Sequence, residues 1–104
     1  MTFELRKIPE ESFVYVGNKG LSAYVLAGIT KFGSGSDEIV IAGKGNHLNK
    51  VVETALALEM CEASIGCRLQ KEFHAEYIHE KSRSGGAIKV PALYIQISKG
   101  GSLG

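Results

Sequence analysis

Apolar and polar residues recur along this chain with two periods, and the period switches several times. Short apolar runs at Phe13-Val14-Tyr15-Val16 and Ile39-Val40-Ile41-Ala42 predict strands over about Ser12 to Val16 and Glu38 to Ala42. The second run is continuous, as in a strand covered on most sides. Each is followed by a segment with helical spacing. Leu21, Tyr24, Val25, Gly28, Ile29 and Phe32 share one face of a helix over about Leu21 to Phe32, with Ser22 placed to cap it. Gly33-Ser34-Gly35-Ser36 ends that helix and turns the chain. Leu48, Val51, Val52, Ala55 and Leu58 form the stripe of a second helix, from an N-cap at Asn46 to about Ala63. Gly66 stands in the C-terminal capping role.

Beyond Gly66 the period becomes two. From about Cys67 to Glu80 the odd positions Leu69, Phe73, Ala75 and Tyr77 are apolar, and the even positions Arg68, Gln70, Glu72, His74 and Glu76 are polar. That predicts a long strand with one wet face, and Lys71 breaks the pattern. A fourth strand spans about Ile88 to Ser98 with Leu93, Ile95 and Ile97 inward; Pro91 implies that its first half lacks a partner on one side. Between these strands Lys81-Ser82-Arg83-Ser84-Gly85-Gly86 reads as a flexible hairpin tip. The order is βαβαββ. Its first half requires a parallel pair with a right-handed crossover. The predicted fold is an α/β two-layer sandwich: a mixed four-stranded sheet, two helices on one face, and a long hairpin arm. Residues 1–99 form a single domain after an irregular lead-in over 1–11, and residues 100–104 a flexible tail.

The length of 104 residues fits one domain. Folding at that size buries about two-thirds of the unfolded chain's surface, so neither a metal nor a disulfide staple is required. A hydrophobic content of 44% is ordinary for a globular domain. No run approaches the roughly 20 apolar residues of a membrane span. Met1 to Glu11 is mixed and charged, unlike a signal peptide, which makes a cytoplasmic protein the default. Cys61 and Cys67 read as reduced, half-buried thiols. Twelve Lys/Arg stand against eleven Asp/Glu, so the net charge is only +1. A basic surface therefore requires segregation. Lys19, Lys44 and Lys50 sit at or near two glycine loops, Lys81, Arg83 and Lys89 flank the hairpin tip, and Glu53, Glu59 and Glu62 lie along the second helix.

Those loops carry the candidate chemistry. Gly17-Asn18-Lys19-Gly20 and Gly43-Lys44-Gly45-Asn46 each follow a strand and precede a helix. A helix N-terminus offers unpaired N–H groups and partial positive charge, to which a lysine adds a full one. Two such sites on one edge suit a polyphosphate, most simply a nucleic-acid backbone. The alternative is that the glycines only shape tight turns. Neither loop is a nucleotide P-loop, because Glu38 stands at the first glycine position and Gly45 follows the lysine. The dinucleotide fingerprint fails at Leu48. Cys61 and Cys67 are too widely spaced for a zinc knuckle, and His74 and His79 have opposite parity on one strand. His47 reads as a surface or phosphate-proximal residue. No nucleophile–base or carboxylate pair stands out, so no catalytic residue, metal or cofactor is predicted.

Taken in this order, the pieces resemble the Alba family of chromatin and RNA-binding proteins, from about Ser12 to Lys99. The resemblance rests on Glu38-Ile39-Val40-Ile41-Ala42-Gly43-Lys44-Gly45-Asn46-His47-Leu48-Asn49-Lys50-Val51-Val52-Glu53-Thr54, on Tyr24-Val25-Leu26, and on the long hairpin behind them. It implies a homodimer, or a heterodimer with a paralogue, joined mainly through the second helix and the last two strands. It implies a non-enzymatic, largely sequence-independent grip on DNA or RNA. Lys19, Lys44 and Lys50 would meet phosphates beside Asn18 and Asn46, and Lys81 and Arg83 would sit at the arm tip. In an archaeon the protein would associate with the chromosome. Asn18 and Asn46 stand where many family members carry basic residues, which implies fewer released counterions and a weaker, less salt-sensitive grip. An alternative is a protein–protein subunit of a ribonuclease P-like RNA-processing particle. A third, enzymatic reading uses the two loops to hold a small phosphate substrate in a closed pocket.

Overall fold

The computed structural model describes residues 8–101. A short 3-10 turn, Glu10–Ser12, leads into strand β1 (Phe13–Tyr15), followed by helix α1 (Leu21–Gly33) and strand β2 (Glu38–Lys44). A second 3-10 turn, Gly45–His47, precedes helix α2 (Leu48–Met60) and the one-turn helix α3 (Glu62–Ile65). Strands β3 (Arg68–Lys81) and β4 (Ala87–Gly101) form the long hairpin. The single sheet has the order β1-β2-β4-β3. β1 and β2 are parallel, with Tyr15 beside Ala42, and the other pairs are antiparallel. The predicted fold is thus the observed one.

Sequence period explains the layers. Val14, Val16, Ile39, Ile41, Ile95 and Ile97 meet Tyr24 and Phe32 of α1 and Val51, Ala55 and Leu58 of α2 in the main core. Each fully buried aliphatic side chain there contributes about 1.5–3 kcal/mol of transfer free energy. Thr54 is also fully buried, although the stripe predicted for α2 leaves it out. Its hydroxyl donates to the Lys50 carbonyl at 2.7 Å, which satisfies the only group that burial would otherwise penalise. The opposite, open face of the sheet holds a smaller cluster of Ile8, Val40 and Ala42, with Phe13 and Tyr94 against it.

Several boundaries differ from expectation. Ser22 lies inside α1 and Gly20 is its N-cap, with no side-chain cap bond. Asn46 lies in the 3-10 turn, and the N-cap of α2 is His47. The helical path breaks at Cys61, where its N–H bonds the Leu58 carbonyl at 2.9 Å in a tight i−3 turn, so α2 stops short of Ala63. Gly66 closes α3 in the left-handed conformation, as predicted. β4 continues through Gly101 because Gly101 pairs with Arg68, so Gly100 and Gly101 are strand where a tail is expected. Residues 1–7 of the lead-in and 102–104 of the tail lie outside the described residues.

The arm departs most from the single-chain picture. β2 covers β4 only as far as the Lys44–Ala92 pair, so Pro91 lies beyond it, as its missing N–H requires. Past that point five cross-strand pairs, Tyr77–Pro91 to Lys81–Ala87, project alone, a reach of about 17 Å. The odd residues of β3 are predicted to face the core, yet Phe73 is 58% and Tyr77 67% exposed. The helices do not extend over them. Leu69, at the sheet end of the strand, is buried. No helix among the described residues is long and apolar enough to cross a membrane.

Candidate functional site

Because β1 and β2 run parallel, their C-terminal ends lie side by side and place both glycine loops on one edge. In an open α/β sheet that edge is where ligands collect. The first loop is tied down by two side chains. The Tyr24 phenol oxygen accepts the Gly17 N–H at 2.8 Å and the Lys19 N–H at 3.0 Å. The Lys50 ammonium, on α2, donates to the carbonyls of Gly17 and Lys19, both at 2.8 Å. It also lies 5.9 Å from the centre of the Tyr24 ring, within cation–π range. Lys50 thus crosses from the second loop's helix to hold the first loop, and places positive charge beneath it.

The second loop is built differently. Gly43 and Lys44 belong to β2, where the prediction ends the strand at Ala42, because they pair with Leu93 and Ala92 of β4. The turn proper is Gly45–His47. Gly45 has φ +61, which a side chain would strain. Lys44 forms an ion pair with Glu80 of the arm. Lys19 is exposed and has no ion pair among the described residues. Asn18 and Asn46 are both exposed, one on each loop.

At the far end of the hairpin Lys81 and Arg83 are exposed. The tip closes through the Ser82 N–H to the Gly86 carbonyl at 2.7 Å, and Gly85 takes φ +91. Lys89 sits 6.0 Å from the Tyr77 ring centre. The arm therefore carries a second group of cations, and the Lys44–Glu80 ion pair links it to the second loop.

Two acidic groups on or beside α2 are engaged away from the loops, whereas Glu80 reaches Lys44 at the edge. Glu59 of α2 pairs with Lys71, and Glu62 accepts the Leu69 N–H at 2.6 Å. On the open sheet face the Tyr15 hydroxyl donates to Glu10 at 2.9 Å. Burial, then the Glu10 carboxylate, hold the Tyr15 phenol above its usual range, and burial, then Glu76, do the same to Tyr94. Both phenols stay neutral at physiological pH. No cluster of three or more His, Cys, Asp or Glu suited to a metal occurs among the described residues, and Cys61 and Cys67 are free thiols.

Sequence reasoning finds the loops and the tip but not Tyr24, Tyr15, Tyr94 or Glu80. For Tyr24 a signal exists: a tyrosine on the buried face of a helix's first turn needs a partner for its hydroxyl, and the nearest unpaired donors are in the preceding loop.

The family model Alba matches residues 12–60, which contain both loops. The "DNA/RNA-binding protein Alba" of Methanococcus maripaludis is 31% identical over 93 residues, covering 86% of this chain and 99% of that one. The chain belongs to the Alba family. The protein of the same name from Methanocella arvoryzae is 40% identical over 48 residues, 46% of this chain and 50% of its own. The match spans about half the length of that relative and of several others. Among solved structures, Alba from Thermoplasma volcanium superposes with a TM-score of 0.75 at 23% identity, covering 84% of this chain and 99% of its own. ALBA1 from Trypanosoma brucei gives 0.63 at 18% identity, covering 88% and 72%. These two Alba structures share the fold.

Proposed function

We propose that this chain is a non-enzymatic DNA/RNA-binding protein that grips the nucleic-acid backbone, largely without regard to sequence, as a dimer. The observation that carries the proposal is the edge itself: two glycine loops side by side, locked together by Lys50, with Lys19 exposed. The names of its relatives agree with it. Phosphate contacts position a protein on a duplex but specify no sequence, and Arg83 and Lys81 add reach along a groove. The setting is cytoplasmic, and chromosomal in an archaeon. The loops border an open edge, not a closed pocket, which favours a polymer over a small phosphate substrate.

The dimer reading rests on the exposed apolar face of the arm. Phe73, Ala75 and Tyr77 share the helix-side face of β3, and a shallow hollow lined by Leu48, Ala75, Tyr77, Pro91 and Leu93 joins them to α2. Leu56 and Met60 of α2 are exposed as well. Large apolar surfaces of this kind mark interfaces. The occupant is a second copy or a paralogue, and the paralogue case covers a subunit of a ribonuclease P-like particle. Mass measurement of the purified chain separates the two: a stable homodimer at micromolar concentration supports the first, a lone monomer the second.

The binding experiment is a salt titration with both RNA and DNA duplexes. Lys19→Ala is expected to lower the slope of log K against log salt by about one. Glu80→Gln releases Lys44 and is expected to steepen it. Absence of binding below about 100 μM at low salt, the weak end of non-specific affinity, overturns the proposal.

A further inference from the structure

The two loops share a neighbour that the backbone grip does not use. On the open face of the sheet lies a hollow of about 430 Å³, whose walls include Tyr15, Tyr94, Ala42 and Ala92 and whose rim includes Gly17 and Lys44. A volume of that order lies within the range of small-molecule sites. Tyr15 is 58% exposed. It is held in place by stacking on Phe13, with ring centres 5.6 Å apart, and by its hydroxyl bond to Glu10.

We propose that this hollow takes an unpaired nucleobase whose own backbone phosphate rests on the adjoining loops. The inference rests on the nucleic-acid reading above and deepens it. A nucleotide is an anionic group joined through a sugar to a flat aromatic ring. The edge offers the two matching surfaces next to each other: cationic loops at the rim, and aromatic and aliphatic walls inside. Charge fixes the orientation. Glu10 bonds Tyr15, and Glu76 acts on Tyr94, so carboxylates flank the hollow and repel a phosphate from it. The neutral base can enter, and the phosphate stays at the first loop, where Lys19 is exposed. Bases of a duplex are stacked inside and cannot reach the hollow, whereas unstacked bases of single strands pack readily on aromatic side chains. The apolar arm face proposed for the dimer lies on the helix side, so dimerisation leaves the hollow open.

The test uses single strands of about 12 nucleotides, within the span of ordinary single-strand sites, one of RNA and one of DNA, each carrying one 2-aminopurine. Duplexes of the same sequence serve as the comparison. The wild-type chain is expected to change the 2-aminopurine fluorescence of the single strands. Tyr15→Leu is expected to weaken single-strand binding by about 5- to 100-fold and to leave duplex binding within about twofold. Tyr15→Phe keeps the ring and is expected to keep the affinity. Equal loss on single strands and duplexes, or no loss with Tyr15→Leu, overturns the proposal. If the wild-type chain binds duplexes with a Lys19-dependent salt slope but leaves 2-aminopurine unperturbed, the hollow fails and the backbone grip stands. If it binds neither form, both fail. Response of only one single strand tells RNA from DNA and supports the site.

Discussion

At the scale of single residues, the first loop depends on Tyr24 more than on its own glycines. One phenol oxygen accepts the N–H groups of Gly17 and Lys19, and Lys50 gathers the carbonyls of the same two residues. Tyr24→Phe removes the acceptor and little else. It is expected to cost about 1 kcal/mol, the net worth of a typical hydrogen bond, which is about 4–8 °C in melting temperature for a domain near this size. Thermal unfolding followed by circular dichroism measures it, and an unchanged melting point would remove Tyr24 from this role. Lys19 and Lys50 both read as phosphate ligands from the sequence, since each is a lysine beside a glycine loop. Only their tertiary partners separate an exposed cation from a clamp. For the same reason the Lys44–Glu80 pair, 36 residues apart along the chain, is invisible to sequence patterns.

At the scale of elements, most strands and helices are legible because burial enforces their period. Ile39, Val40 and Ile41 are fully buried as their continuous apolar run predicts, and Ile95 and Ile97 where the inward positions of the fourth strand put them. Ends are less legible because they depend on neighbours. β2 runs on through Gly43 and Lys44 because β4 offers them partners, although glycine and lysine look like loop. Gly43 also permits contact between β2 and α2. A Cβ there would stand 2.4 Å from a Val51 methyl, and valine in a helix has almost no alternative rotamer. Gly43→Ala is therefore expected to destabilise the domain by about 1–3 kcal/mol. Urea unfolding measures this. A change below about 0.5 kcal/mol, the range of ordinary surface substitutions, would mean that the contact relaxes freely.

At the scale of the whole molecule, a chain of net charge +1 can still present a basic edge. Glu10 lies by the open face, Glu59 and Glu62 lie on or beside α2, and Glu80 is spent on Lys44, while Lys19 and the arm tip stay exposed. The elongated shape, 54 × 31 × 19 Å, comes from the arm. Its apolar face is the part a lone chain leaves uncovered. Phe73→Glu places a charge at the centre of that face without touching the monomer core. It is expected to convert the dimer to a monomer in sedimentation velocity while leaving the circular dichroism spectrum intact. A sedimentation coefficient unchanged by Phe73→Glu would place the interface elsewhere.

The sequence by itself determined the order βαβαββ, the position of the core and the two glycine loops, because each follows from local periods and turn residues acting within one segment. Tertiary structure alone decided which lysines remain exposed. It also decided where β2 ends, which face of the arm stays uncovered, and that two tyrosines and two loops border one open hollow. Each of these needs partners from different segments, and side chains far apart along the chain meet only once the sheet has brought its strands together.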